Sequence, residues 1–127
     1  MAQTILIVED ADTAATMLEI ALLSIPGVQV ERVRDGLRAL EYLAPGAGCT
    51  VDAVVTDLEL PFLDGFELIA RLRREARFAR LPIVVVSGHS DPQAGERVQR
   101  LGASAYFGKP WLPVEVQQTV ASLLNSS

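Results

Sequence analysis

The sequence predicts an α/β protein whose five parallel strands form a doubly wound sheet in the order 2-1-3-4-5. Three observations lead to this prediction. Short apolar runs alternate with amphipathic stretches along the chain, a pattern that builds a parallel sheet covered by helices. One strand is half polar, as an edge strand should be. The length of 127 residues suits a single domain with one core.

The first half of the chain contains two predicted strands and two predicted helices. TILIV, at 4–8, is apolar and rich in β-branched residues, which is typical of a buried strand. VQVERV, at 28–33, alternates between apolar and polar residues and predicts an edge strand. Helices are expected at 12–24, which a Pro-Gly pair follows, and at 35–44. Helical spacing groups Met17, Ile20, Ala21 and Ser24 on one face of the first helix, and Leu37, Leu40 and Ala44 on one face of the second.

The second half of the chain continues the same alternation. Buried strands are predicted at 51–56 and 81–87, and a fifth strand at 103–107. The intervening and final helices are expected at 66–76, 91–101 and 114–124. The positions expected on their apolar sides are Ile69 and Leu72 in the third helix, Ala94, Val98 and Leu101 in the fourth, and Val116, Val120 and Leu123 in the fifth.

The half-polar strand selects between the two common doubly wound orders. In the order 2-1-3-4-5 the second and fifth strands lie at the edges, and the second strand is the one that alternates. Right-handed crossovers leave few other arrangements. Ligand chemistry is then expected outside the carboxyl ends of the strands, where the first and third diverge.

Composition and charge exclude several classes of protein. The apolar runs are far shorter than the roughly 20 residues of a membrane span, and the N-terminus MAQTILIVED has no cationic segment of a signal peptide. Cys49 is the single cysteine, which suits a reducing compartment. The formal net charge of -5 disfavours nucleic-acid binding. We therefore expect one cytoplasmic domain at 1–127, with neither a membrane nor a nucleic acid as partner.

Charged and hydroxyl groups gather at the carboxyl ends of the predicted strands. Glu9 and Asp10 end the first strand, Asp57 the third and Ser87 the fourth, while Lys109 follows the fifth. Neighbouring strands lie about 4.8 Å apart. Asp10 and Ser87 are therefore each expected one strand from Asp57, and the long side chain of Lys109 reaches in from two strands away.

The charges of this group predict a bound cation. Glu9, Asp10 and Asp57 would repel one another if all were ionised, and Lys109 supplies a single positive charge. A divalent cation would supply two more, and carboxylate ligands indicate a hard metal, Mg²⁺ first and Mn²⁺ as a substitute. Beside these cations, ionised Asp57 suits the role of nucleophile in phosphoryl transfer, with the hydroxyl of Ser87 available to the product.

Four motifs resemble a known family. ILIVEDAD, VVTDLELPFLDGFEL, IVVVSG and GASAYFGKP together resemble the response-regulator receiver domain of two-component signalling, in particular the chemotaxis receivers, over nearly the whole chain. The resemblance implies a flavodoxin-like fold and a phosphorylation switch rather than an enzyme. We expect no output domain within residues 1–127, which would be either a stand-alone receiver or a receiver from a longer chain such as a hybrid kinase. A histidine kinase or phosphotransfer protein would phosphorylate Asp57. Helix 4, strand 5 and helix 5 would then bind a downstream protein, with the receiver a monomer or a phosphorylation-linked dimer.

The resemblance also implies a ligand set for the metal. Asp10 and Asp57 would bind Mg²⁺ directly, and Glu9 would act through a water molecule. Glu59 would contribute its backbone carbonyl.

A switch mechanism follows from the same resemblance. Ser87 would move onto the phosphoryl group, rotation of Tyr106 would report that movement, and Lys109 would be the cationic partner. Two further residues, Glu59 and His89, lie two positions after Asp57 and Ser87. We expect them to tune hydrolysis of the phosphoryl group, Glu59 by repelling or blocking water and His89 by positioning it.

Other features of the loop and its neighbours are expected to be structural. Asp64, directly before Gly65, is predicted to cap the third helix. Trp111 takes the place of a more usual phenylalanine after the Lys-Pro pair, which puts the single tryptophan near the site.

Three alternative functions compete with the switch. The first is a receiver-like scaffold that binds partners without phosphorylation. The second is a haloacid-dehalogenase-like phosphotransferase, whose D-x-D-x-T or V signature is matched here by DADTA, with alanine in the last position. The third is a flavodoxin-like FMN carrier, but the acidic EDADTAA would repel the phosphate that its loop must bind.

Overall fold

The computed structural model describes residues 2–48, 50–88, 92–108 and 110–125, and these form the predicted parallel sheet in the order β2-β1-β3-β4-β5. The strands are β1 (Gln3–Val8), β2 (Val28–Val33), β3 (Ala53–Thr56), β4 (Ile83–Ser87) and β5 (Ala105–Gly108). The helices are α1 (Asp12–Leu23), α2 (Gly36–Tyr42), α3 (Gly65–Arg73), α4 (Ala94–Leu101) and α5 (Pro113–Leu124).

Helices cover both faces of the sheet. On one face, Ile5, Ile7, Val55, Val84 and Val86 pack with buried residues of α1 and α5. On the other face, alternate strand residues such as Leu6, Val54 and Val85 pack with α2, α3 and α4. This alternation explains why β1, β3 and β4 consist mainly of apolar residues, because both sides of each strand are buried.

The buried face of α1 differs from the predicted one. Ala15, Leu18 and Leu22 are fully buried against the sheet, whereas Met17 is 43% and Ile20 69% exposed. The helix DTAATMLEIALL is apolar around most of its circumference. The residues that spacing grouped do share one face, which lines a hollow with α5, but spacing alone could not identify the side that packs on the sheet.

The residues aligned by spacing in the second helix are likewise not its buried face. Ala39 and Leu43 are buried, while Leu37 is 44% exposed, Ala44 is exposed and Leu40 is half-buried. The rotation of α2 follows from Gly36, where a Cβ atom would overlap the carbonyl oxygen of Leu63. This close approach turns the side of the helix that carries Gly36, Ala39 and Leu43 towards the core.

The remaining helix faces agree with the sequence. Ile69, Leu72, Ala94, Val98, Val116 and Val120 are fully buried, and Leu101 and Leu123 are half-buried. A short 3₁₀ helix at Ala76–Phe78 was not predicted. The predicted start of the fourth helix at Asp91 lies outside the described residues. None of the helices in the described ranges has the length and apolar character needed to span a membrane.

Candidate functional site

The carboxyl ends of β1 and β3 lie side by side. Val8 pairs with Thr56 in the parallel ladder, and the N–H of Asp57 donates to the carbonyl oxygen of Val8 at 3.0 Å. The residues that follow the two strands, Glu9 and Asp57, are therefore neighbours, as the predicted strand order required.

Three carboxylates converge at this edge. Glu9, Asp10 and Asp57 each offer an oxygen, and these oxygens all lie within 4.8 Å of one another. Their exposures differ, since Glu9 is buried, Asp57 is half-buried and Asp10 is exposed. The predicted acidic group is thus assembled, with its most buried member at the back of the site.

The environment of Glu9 favours its protonated form. Burial, together with the charges of Asp57 and Asp10, raises the pKa of Glu9 from 4.5 to about 7. The N–H of Ala11 donates to the Glu9 carboxylate at 3.1 Å and opposes this rise, as does the charge of Arg32. Burial and the neighbouring acids therefore both disfavour the ionised form of Glu9.

Asp57 is held at the end of β3 by its own loop. The N–H of Leu58 donates to Asp57 Oδ1 at 2.7 Å. Burial raises the pKa of Asp57, while hydrogen bonds from the backbone N–H groups of Leu58 and Glu59 oppose the rise. The charges of Glu59 and Asp10 add to it. Backbone donors therefore orient the carboxylate.

The loop after Asp57 is packed closely against α3. A Cβ atom at Gly65 would overlap the carbonyl oxygen of Asp57, and the N–H of Gly65 donates to the carbonyl oxygen of Leu58 at 2.9 Å. Because neither the loop nor the start of α3 can move independently, Gly65 fixes the backbone that carries the acid.

Asp64 caps α3, as predicted. Its Oδ1 accepts a hydrogen bond of 2.9 Å from the N–H of Glu67. Two residues earlier, Phe62 has a φ of 70° and is 83% exposed, and the N–H of Leu63 donates to the carbonyl oxygen of Pro61 at 2.8 Å. This γ-turn is strained for a non-glycine residue, and no feature of the sequence indicated it.

Ser87 and Tyr106 occupy neighbouring strands at the same edge. Ser87 ends β4, is 1% exposed and pairs with Gly108 of β5. The Tyr106 ring lies close to two glycines, since a Cβ at Gly95 of α4 would stand 3.0 Å from its Cδ2 and one at Gly108 3.0 Å from its hydroxyl oxygen. The half-buried ring therefore packs along β5 and against α4.

The space in front of Asp57 is a pocket of about 390 Å³. Its lining combines Glu9 and Asp57 with the apolar Met17 and Trp111, among other residues. The predicted proximity of Trp111 to the site is confirmed by this lining. The predictions for Lys109 and His89 concern positions outside the described residues.

An exposed apolar surface adjoins this pocket. Met17, Ile20, Ala21, Pro113 and Val114 contribute to a hollow of about 400 Å³ between α1 and α5, which we call the α1–α5 surface. Met17 lines both hollows, so the surface is continuous with the acidic site. Residues that spacing had grouped as one helix face therefore form an accessible surface.

Sequence reasoning missed an arginine behind the acidic cluster. Arg32 of β2 donates from Nε and NH2 to the carbonyl oxygen of Glu9, at 2.9 and 2.8 Å, and from NH1 to Asp12 Oδ1 at 2.9 Å. Arg34 also donates to Asp12 Oδ1 at 2.9 Å. These hydrogen bonds hold the pKa of Asp12 below its usual range. In the sequence, Arg32 was visible only as a polar position of the alternating strand.

Comparison with known proteins identifies the family. The family model for the response regulator receiver domain matches residues 5–121. The chain belongs to this family. Receiver domains interact with histidine kinases and phosphotransfer proteins, and the five-stranded sheet with its 2-1-3-4-5 order is the receiver fold.

Individual relatives agree with this assignment. The gliding motility regulatory protein of Myxococcus xanthus is 36% identical over 88% of this chain, which spans 14% of that protein. The receiver domain of a sensor histidine kinase from Pseudomonas aeruginosa, solved with a magnesium ion in its active-site cleft, is 28% identical with a TM-score of 0.83, covering 99% of this chain and 100% of its own. The phosphorylated cyanobacterial phytochrome response regulator RcpA is 27% identical with a TM-score of 0.82, covering 97% and 91%.

The acidic cluster of this receiver domain fits a hard divalent cation. All three side-chain donors are carboxylate oxygens, which Mg²⁺ and Mn²⁺ prefer. Burial, and after it the charges of neighbouring acids, raises the pKa values of Glu9 and Asp57, and a bound cation would favour their ionised forms.

Proposed function

We propose that this receiver domain is a phosphoacceptor switch of a His-Asp phosphorelay, in which Asp57 is phosphorylated in a Mg²⁺-dependent reaction. The observation that carries this proposal is the convergence of Glu9, Asp10 and Asp57 within 4.8 Å at the edge of the parallel sheet. The protein would assist its own phosphorylation and dephosphorylation, and would otherwise act through binding.

The reaction needs an oriented carboxylate nucleophile. An oxygen of Asp57 would attack the phosphorus of a phosphohistidine, forming the O–P bond as the P–N bond breaks, and the released imidazole would take up a proton. The hydrogen bond from the N–H of Leu58 to Asp57 Oδ1 supports this role, because it restricts rotation of the carboxylate.

The cation site would use the acids of β1 and β3. Asp10 and Asp57 would bind Mg²⁺ directly, with Glu59 through its backbone carbonyl and Glu9 through water; Mn²⁺ could substitute. Bound Mg²⁺ supplies positive charge to the oxygens of the transferring phosphoryl group. Lys109 would add a further positive charge at this edge.

The output would run through Ser87 and Tyr106 to the surface formed by α4, β5 and α5. Ser87 would donate its hydroxyl to the phosphoryl group, and Tyr106 would rotate in response. Contact between the Tyr106 ring and Gly95 supports this route, because a ring packed against α4 cannot turn without changing the α4–β5 surface. That surface would bind the downstream protein.

The donor would dock on the α1–α5 surface. This apolar surface reaches the pocket of Asp57 through Met17, and a protein donor must bring its phosphohistidine into that pocket. We expect Ile20→Asp to slow transfer from a phosphorylated histidine-kinase domain about fivefold or more, with the rate from acetyl phosphate unchanged. Equal slowing with both donors would contradict this docking site.

Glu59 and His89 would set the lifetime of the phosphorylated state. The Glu59 side chain is exposed two residues after the phosphoacceptor, where it could repel or block an attacking water molecule. His89 would position that water. Decay of the aspartyl phosphate at the wild-type rate in His89→Ala would remove His89 from this proposal.

The proposed function is tested by fluorescence of Trp111, which lines the pocket. We expect Mg²⁺ to change its emission with a saturable dependence, and beryllofluoride to change it further when Mg²⁺ is present. Asp57→Asn should abolish the second response. Failure of the wild-type protein to respond to either addition would contradict the switch and favour a scaffold that works without phosphorylation.

A further inference from the structure

Arg32 connects the edge strand β2 to both ends of the turn between β1 and α1. Its Nε and NH2 hold the carbonyl oxygen of Glu9 at 2.9 and 2.8 Å, and its NH1 holds Asp12 Oδ1 at 2.9 Å. Its side chain is 17% exposed. Three donors of one rigid, planar group are therefore committed to the segment that carries the acids.

The position of Arg32 is unexpected if charge alone is considered. Its positive charge opposes the raised pKa of Glu9, and a fixed cation beside a cation site weakens the attraction for a second cation. Arg32 can nevertheless favour metal binding through geometry, because it holds the backbone that carries the acids. The carbonyl that Arg32 holds belongs to the peptide group between Glu9 and Asp10. The orientation of this peptide group determines the position from which the Asp10 side chain extends.

We propose that Arg32 is a positioning residue for the cation site, which fixes the Glu9–Asp10 peptide so that the carboxylates match the octahedral geometry of Mg²⁺. The inference rests on the proposed Mg²⁺ site and assigns a new residue to it. Mg²⁺ requires near-ideal octahedral geometry, whereas Ca²⁺ accepts variable numbers of ligands and longer bonds. Loss of the positioning residue should therefore lower Mg²⁺ affinity more than Ca²⁺ affinity.

Arg34 provides a matched control. It carries the same charge on the same segment and also bonds Asp12, but its side chain is 60% exposed and its contact with the carbonyl oxygen of Asp10 is 3.5 Å long. Arg34→Met thus removes a nearby positive charge with little effect on the Glu9–Asp10 peptide. Arg32→Met removes the same charge together with both hydrogen bonds to the Glu9 carbonyl.

The experiment is calorimetric titration of the whole chain with Mg²⁺ and, separately, with Ca²⁺. We expect Arg32→Met to weaken Mg²⁺ binding about tenfold or more, with a smaller loss for Ca²⁺. Arg34→Met should bind Mg²⁺ as tightly as the wild type or more tightly. Arg32→Lys should recover part of the loss, because one ammonium group can still donate to the Glu9 carbonyl.

Several outcomes would overturn the inference. If Arg32→Met bound Mg²⁺ as tightly as the wild type or more tightly, Arg32 would have no positioning role in the cation site. Equal losses for Mg²⁺ and Ca²⁺ would exclude a geometric role. Thermal unfolding checks that each variant is folded, and if Arg32→Met is not, a wild-type Mg²⁺ affinity in Arg32→Lys would overturn the inference. A wild-type protein that binds no Mg²⁺ would instead contradict the proposed function, and this inference with it.

Discussion

The strongest prediction about stability concerns the proton on Glu9. Burial and neighbouring acids raise its pKa from 4.5 to about 7 in the folded protein. Protonated Glu9 therefore stabilises the fold below about pH 4.5, and this contribution is lost as the pH rises towards 7. The metal-free protein should become less stable over this range, which is the reverse of the usual behaviour of a carboxylate in an ion pair.

The magnitude follows from the change in pKa. One pKa unit corresponds to about 1.4 kcal/mol, so the rise for Glu9 corresponds to roughly 3 kcal/mol in full. Asp10 is exposed, so water has access to this edge of the sheet. Screening by this water reduces the contribution of Glu9 to the free energy of unfolding. We expect a measured loss of about 1 to 2 kcal/mol in the free energy of unfolding.

The assay is urea unfolding with a chelator present, at several pH values between about 5 and about 8. Glu9→Gln should flatten the profile and make the protein more stable than the wild type at the alkaline end. A part of the slope should remain, because the pKa of Asp57 is raised as well. Addition of Mg²⁺ should stabilise the wild type most at high pH, where the acids are ionised.

A different profile would refute this reasoning. If the stability of the metal-free wild type were constant or rose between about pH 5 and about pH 8, and Glu9→Gln gave the same profile, Glu9 would not hold a proton in the fold. The repulsion within the acidic cluster would then be weaker than its burial and spacing indicate.

Three further substitutions test the loop that follows the phosphoacceptor. Gly65→Ala should lower the free energy of unfolding by about 1 to 3 kcal/mol and weaken Mg²⁺ binding, because the added Cβ would overlap the Asp57 carbonyl; unchanged values in both assays would contradict this. Phe62→Asn should raise the free energy of unfolding by about 0.5 to 1 kcal/mol, because asparagine tolerates the φ of 70° better and removal of the exposed ring loses little packing. A lower free energy of unfolding in urea would contradict this expectation. Asp64→Ala should lower the free energy of unfolding by about 1 kcal/mol, because the hydrogen bond from the Glu67 N–H is lost. As a control, this variant should bind Mg²⁺ with wild-type affinity.

The sheet and its acidic edge could be predicted because their signals are local. Runs of apolar residues mark strands that are buried on both faces, and the alternation of VQVERV marks the edge strand, which selects the order. Once the order is known, parallel strands bring Glu9 and Asp57 to the same edge. The capping role of Asp64 was equally local, since the capping bond spans three residues.

Features that depend on packing between distant segments were missed. The apolar circumference of α1 left its orientation undetermined, and the exposed positions of Met17 and Ile20 became visible only in the folded protein. Arg32 lies 23 residues after Glu9, so nothing in its own segment indicated the two hydrogen bonds to the Glu9 carbonyl. The strain at Phe62 likewise arises from the turn that fits the loop against α3.

The central claim is that Asp57 accepts a phosphoryl group in a Mg²⁺-dependent reaction. Its most direct test is intact-protein mass spectrometry after incubation with acetyl phosphate, with and without Mg²⁺. We expect the wild type to gain the mass of one phosphoryl group only when Mg²⁺ is present, and Asp57→Asn to gain none. A wild-type protein that gains no mass, or an Asp57→Asn variant that gains as much as the wild type, would contradict the claim.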